Sequence, residues 1–401
     1  MLQNRKIKDD TTFIVDLSEL LSEKINGKIV NHHVEPLMPV GGENFGSEMV
    51  KIDVTVEDSN GNQTVLHGVG KLLPSTELQR EMFSVQVTFK SEIGFYSEIV
   101  PTLIKFQAEH GMASMEYFAE LLGARTSLEP HSKTVDENAV IILENLKLKG
   151  FHNQDRLEGF DLESTKKVLQ SLANLQATTL SLRKKQPELF ETKVRPHLHE
   201  PRPLPPFNYD KLLTENLETA TLVGKIHNLL NKSQRTIIRE PWATVTHNDF
   251  WINNIMITNK ADGTIDKIKL IDFQMPDYSS PVRDVIFFLF SSVSMPVLRY
   301  HLDKLLQYYF TEFISVLKKF DVDLKEFTYE SFLEELRLEG GLQVHHSLFM
   351  VPIILAPKEK RVEPNNSNKL APPLEGQQHF TSAMKEKIWF IVAEAAKRNW
   401  I

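Results

Sequence analysis

The feature that most constrains the fold is a pair of polar motifs in the second half of the chain. The first, His247-Asn248-Asp249-Phe250-Trp251-Ile252-Asn253-Asn254, has the pattern H-x-D-x-x-x-x-N, and the second is Leu270-Ile271-Asp272-Phe273-Gln274. Residues 255–258 and 268–273 have strand character, and a turn at residues 261–263 separates them. A hairpin of this kind would bring the end of the first motif next to Asp272.

The residue types in these motifs fit phosphoryl transfer. That reaction needs one carboxylate to orient the attacking hydroxyl and accept its proton, and an amide oxygen and a second carboxylate to hold metal ions. Asp249 suits the base role, and Asn254 and Asp272 suit the metal roles. Each motif alone is common in turns or at strand ends, but the two in this order favour the functional interpretation. We expect His247 to be a structural hydrogen-bonding residue, and Asp284 to accept backbone hydrogen bonds from this loop.

The N-terminal third contains candidate phosphate-binding residues. Residues 48–57 alternate apolar and polar residues, and a turn follows before the partner strand at residues 63–71, which ends in Lys71. A helix is predicted next, up to Pro101. We predict that Lys71 reaches the α- and β-phosphates and that Glu92 on this helix pairs with it, with Glu98 as the competing partner. The alternative is that Lys71 is a solvated residue at the end of a strand and that Glu92 is a charged residue on the surface of the helix.

Two further segments are candidates for nucleotide binding. Glycines let a backbone approach phosphates closely, and the first segment includes Gly41, Gly42, Gly46 and Ser47. A plain turn is the alternative there. The second segment follows an apolar strand predicted at residues 139–143 and consists of Glu144, Asn145 and Leu146, whose backbone groups could meet the adenine edge. An ordinary strand-to-loop transition is the alternative.

Composition excludes several other classes. The net charge of −7 lacks the basic footprint of a nucleic-acid-binding protein. The chain has no cysteine, which removes disulfides, thiolate zinc sites and cysteine nucleophiles. It has neither a secretory h-region nor an apolar run long enough to span a bilayer. We therefore expect a cytoplasmic protein, monomeric, with no membrane or nucleic-acid partner.

The motifs resemble the ecdysteroid kinase-like family, within the choline and aminoglycoside kinase group of the protein-kinase-like fold. The resemblance rests on the two motifs above together with residues 280–292, 89–101 and 41–47, and it extends from about Val40 to Ile354. The ending Asp-Phe-Gln, rather than Asp-Phe-Gly, is a mark of this family. Three residues depart from the family pattern: Asn248 where Gly is common, Asn145 where Asp is common, and Gln176 where His is common.

The resemblance implies an α+β, two-lobed protein-kinase-like fold. A strand-rich N-lobe (1–143) would bind nucleotide phosphates, and a larger helical C-lobe (144–401) would carry the hinge, the catalytic loop, the metal site and the acceptor site. The implied activity is transfer of a phosphoryl group from ATP, with Mg²⁺, to an alcohol such as a steroid or a small foreign compound. Asp249 would be the base, Asn254 and Asp272 would hold Mg²⁺, and the ATP-binding residues would be Lys71, Glu92 and the hinge at residues 144–146.

Three other functions are alternatives to this one. A protein kinase is disfavoured because the connection from Asp272 to Asp284 is short and because Trp251 stands where a serine/threonine kinase carries Lys. A catalytically silent kinase-like binding protein would need a lost catalytic group, and Lys71, Asp249, Asn254 and Asp272 are all present. A choline- or aminoglycoside-type kinase stays open, since the acceptor site, expected within residues 289–355 by fold analogy, has no sequence signature.

Overall fold

The structure is a computed structural model that describes residues 14–37, 47–200, 204, 208–230, 237–357 and 380–401. The chain forms two compact units: unit 1 comprises Met1–Val100 and Phe118–His152, and unit 2 comprises Pro101–Tyr117 and Asn153–Ile401. Residues 101–117 therefore belong to unit 2 and residues 144–152 to unit 1, so the units are not divided at residue 144 alone. The functional lobes expected from the sequence stay a prediction.

Unit 1 is built on a five-stranded antiparallel sheet. Its strands lie in the order β1-β2-β3-β5-β4, with β1 Lys28–Pro36, β2 Glu48–Glu57, β3 Gln63–Leu72, β4 Leu121–Arg125 and β5 Val140–Glu144. The predicted hairpin of β2 and β3 is confirmed, with Met49 opposite Lys71. The alternating apolar residues of β2 are buried in the core, because successive side chains of a strand point to opposite faces.

The helices of unit 1 are α1 Leu17–Leu20, α2 Glu77–Met82 and α3 Val85–Gly94, with a 3₁₀ turn at Leu146–Lys149. A π-helical turn, Phe95–Ile99, follows α3 and leads into α4 Val100–Glu109. The prediction that the helix ends at Pro101 is therefore wrong. The π turn widens the backbone just before Pro101, which relieves the clash that a proline ring makes with the preceding turn.

Unit 2 is mainly helical, as the sequence predicted after Pro281. Asp161 caps the N-terminus of the long α5, since its side chain accepts the N–H of Ser164 at 2.8 Å. The helices are α5 Leu162–Lys185, α6 Pro187–Lys193, α7 Asp210–Thr214, α8 Leu217–Ala220, α9 Val223–Leu230, α10 Val282–Ser292, α11 Met295–Lys319, α12 Tyr329–Ile354 and α13 Ser382–Lys397, with a 3₁₀ turn at Arg195–His197. None of the helices in the described ranges has the length and apolar character that crossing a membrane requires.

The remaining strands are short and position the motifs. They are β6 His152–Asn153, β7 Thr244–Thr246, β8 Ile255–Asn259, β9 Ile265–Leu270 and β10 Asp277–Ser279. Strand β7 pairs antiparallel with β10, and β8 pairs antiparallel with β9. The strand predicted at residues 268–273 instead ends at Leu270, because Asp272 has a φ of 66°, which no strand accommodates. The α+β fold class, with strands concentrated in the N-terminal part and helices in the C-terminal part, is confirmed.

Candidate active site

A buried carboxylate holds the loop that connects β7 to β8. Asp284, at the start of α10, accepts the backbone N–H groups of His247 and Asn248 at 2.8 and 2.9 Å. The Gln176 amide donates to the same carboxylate at 2.9 Å. Burial raises the pKa of Asp284 to about 6, against the opposing effect of these hydrogen bonds. The structural role predicted for Asp284 is confirmed.

His247 connects the loop to the end of β9 by hydrogen bonds. Its side chain is buried, as suits a structural residue better than a proton carrier. Its Nε2 lies 3.0 Å from the carbonyl oxygen of Ile271, and its Nδ1 lies 3.3 Å from the backbone N–H of Asp249. A carbonyl can only accept and a backbone N–H can only donate, so Nε2 carries the proton and Nδ1 is the acceptor. The ring also packs on Phe273 at 4.4 Å. The predicted structural role of His247 is therefore confirmed.

Asp249 and Asn254 form one hydrogen-bonded unit. The Asn254 Nδ2 donates to the backbone oxygen of Asp249 at 2.8 Å and to its carboxylate Oδ2 at 2.9 Å. Asn254 is buried, whereas Asp249 is partly exposed and can be reached by a second molecule. Because the amide nitrogen faces Asp249, the amide oxygen is the atom that Asn254 can offer to a metal.

Asp272 is brought to Asn254 by the β8–β9 hairpin. Ile255 is the partner of Leu270 in that hairpin, and the N–H of Ile271 donates to the carbonyl of Asn254 at 3.0 Å. The positive φ of Asp272, 66°, turns the chain out of the strand immediately afterwards. Two residues on, Gln274 donates to Asp272 Oδ2 at 3.3 Å. The structure thus gathers Asp249, Asn254 and Asp272 at one end of the hairpin.

The donor set at this end of the hairpin fits Mg²⁺. Carboxylate and amide oxygens are the hard ligands that this ion prefers, and Mg²⁺ usually completes its shell with water and substrate phosphates. In the described ranges, no group of three or more His, Asp or Glu side chains could hold a metal by themselves. Asn254 and Asp272 would therefore be two of several ligands.

In unit 1, Lys71 and Glu92 form a buried ion pair. The Lys71 Nζ lies 2.5 Å from Glu92 Oε2, and the two side chains are only 14% and 3% exposed. The predicted pairing with Glu92, rather than with Glu98, is thus confirmed, while a role in nucleotide binding stays a prediction. Breaking such a pair by removing one partner is costly, because a buried charge is left uncompensated.

Only the last of the four residues predicted in the glycine segment is among the described residues. Gly41, Gly42 and Gly46 lie outside the described residues. Ser47 is described, and its hydroxyl donates to the sulfur of Met49 at 3.7 Å, at the start of β2. The phosphate-binding role of these four residues stays a prediction.

The connector after β5 is anchored at its first two residues. The N–H groups of Glu144 and Asn145 donate to the carbonyls of Glu120 and His67 at 2.9 and 3.1 Å. The Glu144 carboxylate accepts from the Glu120 N–H at 3.0 Å and from Lys149. Leu146 opens a 3₁₀ turn, so its N–H has no partner within that turn. Within residues 144–146, the backbone N–H of Leu146 is thus the one not used in a hydrogen bond between described residues.

A comparison with protein families identifies the family of this chain. The model of the ecdysteroid kinase-like family matches residues 41–322, which is most of the chain and includes every predicted site residue. The chain belongs to the ecdysteroid kinase-like family. A search of curated proteins found no match. The family is kinase-like, which supports phosphotransferase activity and agrees with the α+β architecture.

Two departures from the pattern of the ecdysteroid kinase-like family are explained by geometry. Asn248 has a φ of 61°, a conformation that glycine adopts freely and asparagine tolerates better than most residues. Its side chain adds a hydrogen bond to the carbonyl of Met275 at 3.0 Å. Gln176 occupies the usual histidine position and still donates to Asp284. Both residues therefore keep the hydrogen-bonded support of the loop that connects β7 to β8. For Asn145, the structure shows a buried side-chain oxygen without a hydrogen-bond partner among the described residues.

The sequence analysis did not identify several residues whose hydrogen bonds support the β7–β8 loop and the helices next to it. Tyr309 donates to the Gln176 Oε1 at 2.5 Å, and the N–H of Ile252 donates to the Ser292 hydroxyl at 2.9 Å. Lys387 on α13 donates to the carbonyls of Ser291 and Val293, both at 3.2 Å. Burial lowers the pKa of Lys387 to about 8. The available signal was weak: polar residues within otherwise apolar helix faces.

Proposed function

We propose that this protein transfers the γ-phosphoryl group of ATP to a hydroxyl group of a small molecule. The observation that supports this most strongly is the joining of Asp249 to Asn254 beside Asp272, on a loop fixed by Asp284. A carboxylate next to a metal-binding amide and a second carboxylate is the arrangement that phosphoryl transfer requires. Membership of a kinase-like family points the same way.

In the proposed reaction, the acceptor hydroxyl attacks the γ-phosphorus of ATP. A new O–P bond forms, the bond from the γ-phosphorus to the β,γ-bridging oxygen breaks, and ADP leaves with that electron pair. Asp249 orients the hydroxyl and takes its proton. Mg²⁺ would neutralise charge on the phosphate oxygens, and Asn254 and Asp272 would hold it.

We assign nucleotide binding to residues of unit 1. Lys71 would contact the α- and β-phosphates while Glu92 fixes its direction, since the pair is already formed at 2.5 Å. Gly41, Gly42, Gly46 and Ser47 would approach the phosphates through their backbone. Glu144, Asn145 and Leu146 would meet the adenine, with the Leu146 N–H as donor and the Glu144 carbonyl as acceptor.

The acceptor is proposed to be a small molecule, and not a protein. A peptide substrate needs an ordered segment between the metal-binding carboxylate and the next helix. Here three residues in the middle of that short connection form β10, which pairs with β7, and Ser280 and Pro281 then lead directly into α10. A steroid alcohol or a small foreign compound is the class that the family suggests. A choline- or aminoglycoside-type acceptor is the second candidate.

A screen for phosphorylated products tests the proposal. The protein is incubated with Mg·ATP and a panel of steroid, phenolic and amino alcohols, and products are read by the mass gain of one phosphoryl group. A product that requires both ATP and Mg²⁺ is expected. ATP binding without any product across the panel would instead favour a catalytically silent binding protein.

A further inference from the structure

One side of α12 changes from charged to neutral along its length. Glu335, Glu339, Gln343 and His346 recur every three or four residues, so they share that side, and we call them the α12 polar face. It contacts the neighbouring α10 at two places. Arg283 lies 3.2 Å from Glu339, and the Phe287 ring stacks on His346 at 3.8 Å, with the ring planes 3° apart.

The charged end of the α12 polar face is already engaged by arginines. Glu339 pairs with both Arg239 and Arg283, and Glu335 lies 3.2 Å from the Arg239 Nε. A cationic ligand would have to compete with these guanidinium groups. This end of the face is therefore structural, and recognition of a ligand falls to its neutral end.

The neutral end presents polar groups that the described part of the protein does not satisfy. Gln343 is only 5% exposed, and no described residue hydrogen-bonds its side-chain amide. Its amide atoms are not among the unpartnered atoms sealed from solvent, so the amide is within reach of at least a water molecule. A buried polar group normally has a partner, because leaving one unmade costs stability.

His346 offers a second polar group in a fixed direction. It is partly exposed, its ring nitrogens have no hydrogen-bond partner among the described residues, and stacking on Phe287 fixes its plane. Burial, followed by the influence of His345 and Arg283, lowers the pKa of His346 to about 3. The ring is therefore neutral at ordinary pH and supplies one donor and one acceptor.

The neutral end is tied to the helix that holds the catalytic loop. Phe287 lies about one turn, roughly 5 Å along the axis, after Asp284 in α10. Asp284 is the residue that fixes His247 and Asn248, immediately before Asp249. Further along α12, the apolar Met350 continues the same side and is partly exposed.

We propose that Gln343 and His346 bind the phosphoryl acceptor, and that the acceptor is a neutral, largely apolar ring compound carrying hydroxyl or carbonyl groups. This assignment rests on the proposed function and narrows it, because it selects neutral alcohols over cationic ones. An amide and a neutral imidazole beside apolar side chains hydrogen-bond such a molecule without requiring charge.

Binding can be measured independently of phosphoryl transfer. The protein is labelled with ¹³C in its histidine rings, and the His346 resonance is identified by its loss in His346→Phe, which keeps a ring against Phe287. An ecdysteroid and phenol, which are both neutral, and the cation choline serve as probes. Gln343→Leu removes the amide at similar size, and Gln307→Leu, at an exposed position of α11, is the matched control.

We expect a neutral probe to shift the His346 resonance in a saturable way and choline to leave it in place. Gln343→Leu should raise the Kd of that probe roughly tenfold, the effect of one lost hydrogen bond, and Gln307→Leu should not. The proposal is overturned if no neutral probe shifts His346, if choline does so instead, or if Gln343→Leu leaves Kd unchanged. Saturable binding without any phosphorylated product would contradict the proposed function and leave this binding site standing.

Discussion

Asn254 donates from a single amide nitrogen to both the backbone oxygen and the carboxylate of Asp249, at 2.8 and 2.9 Å. The proposed base and one proposed metal ligand are therefore positioned by each other. The contact fixes the Asp249 carboxylate while leaving the side chain partly exposed. It also directs the Asn254 oxygen away from Asp249, as a metal ligand requires. The two roles assigned to these residues depend on one geometry.

Replacing the base should stop turnover and spare nucleotide binding. Asp249→Asn keeps an oxygen that can accept from Asn254 but cannot take a proton. We expect kcat to fall on the order of a hundredfold or more, with ATP affinity little changed. Steady-state kinetics and a calorimetric ATP titration measure both. Asp266→Asn, an exposed position in the β8–β9 hairpin, is the control. Near-native turnover of Asp249→Asn would remove Asp249 from the base role.

Removing the proposed metal carboxylate should affect nucleotide binding only when magnesium is present. Asp272→Ala should abolish tight Mg·ATP binding, because Asn254 carries no charge to replace the lost ligand. Calorimetric titrations with ATP are carried out with Mg²⁺ and with a chelator, using Asp266→Ala as the control. Unchanged Mg·ATP affinity in Asp272→Ala would contradict the metal assignment.

Gln176 should support the loop through two buried hydrogen bonds. Gln176→Leu removes the donor to Asp284 and the acceptor for Tyr309. We expect the free energy of unfolding to fall by about 1–3 kcal/mol, the cost of buried groups left unpaired. Gln176→His, which restores the residue common in the family, should lose less. Chemical denaturation measures both variants, and equal losses in the two would show that hydrogen bonding to Asp284 is not the cause.

Lys387 should make stability depend on alkaline pH. Its pKa of about 8 in the folded protein lies below the ordinary 10.5, so between these values the folded state binds fewer protons than the unfolded state. The free energy of unfolding should therefore rise with pH across this window, by up to ~3 kcal/mol from this residue. Lys387→Met should lack that rise.

The control for this pH effect lies on the same helix. Lys397 is 70% exposed at the end of α13, so Lys397→Met should keep the wild-type pH profile. Denaturation midpoints at several pH values between 8 and 10.5 give the comparison. Parallel profiles for wild type and Lys387→Met would show that Lys387 is not the titrating group.

Local sequence patterns were sufficient to predict elements whose structure depends mainly on residues nearby in the sequence. The β2–β3 hairpin follows from strict alternation and a turn, and its register places Lys71 where Glu92 can reach it. Strand β1 was not predicted because Val34 is its only buried residue. The strand therefore lacks the alternation of apolar and polar residues that marks β2. The π turn before Pro101 has no periodic signature either.

Residues of the site that are held by long-range contacts could not be predicted from the sequence. Asp249, Asn254 and Asp272 were identified because one hairpin brings them together. Gln176, Tyr309 and Lys387 come from helices far apart in sequence, and nothing in their local context marks them as supports of the loop. The roles of the site residues in binding ATP and Mg²⁺ stay predictions.

The central claim is that phosphate passes from ATP to a small alcohol through Asp249. The most direct measurement uses ATP radiolabelled at the γ-phosphate, Mg²⁺, a cell extract separated into protein and small-molecule fractions, and the wild-type or Asp249→Asn protein. We predict that wild type transfers label to compounds in the small-molecule fraction and that Asp249→Asn does not. Label that appears in protein bands and in no small molecule, or equal labelling by both proteins, would contradict the account.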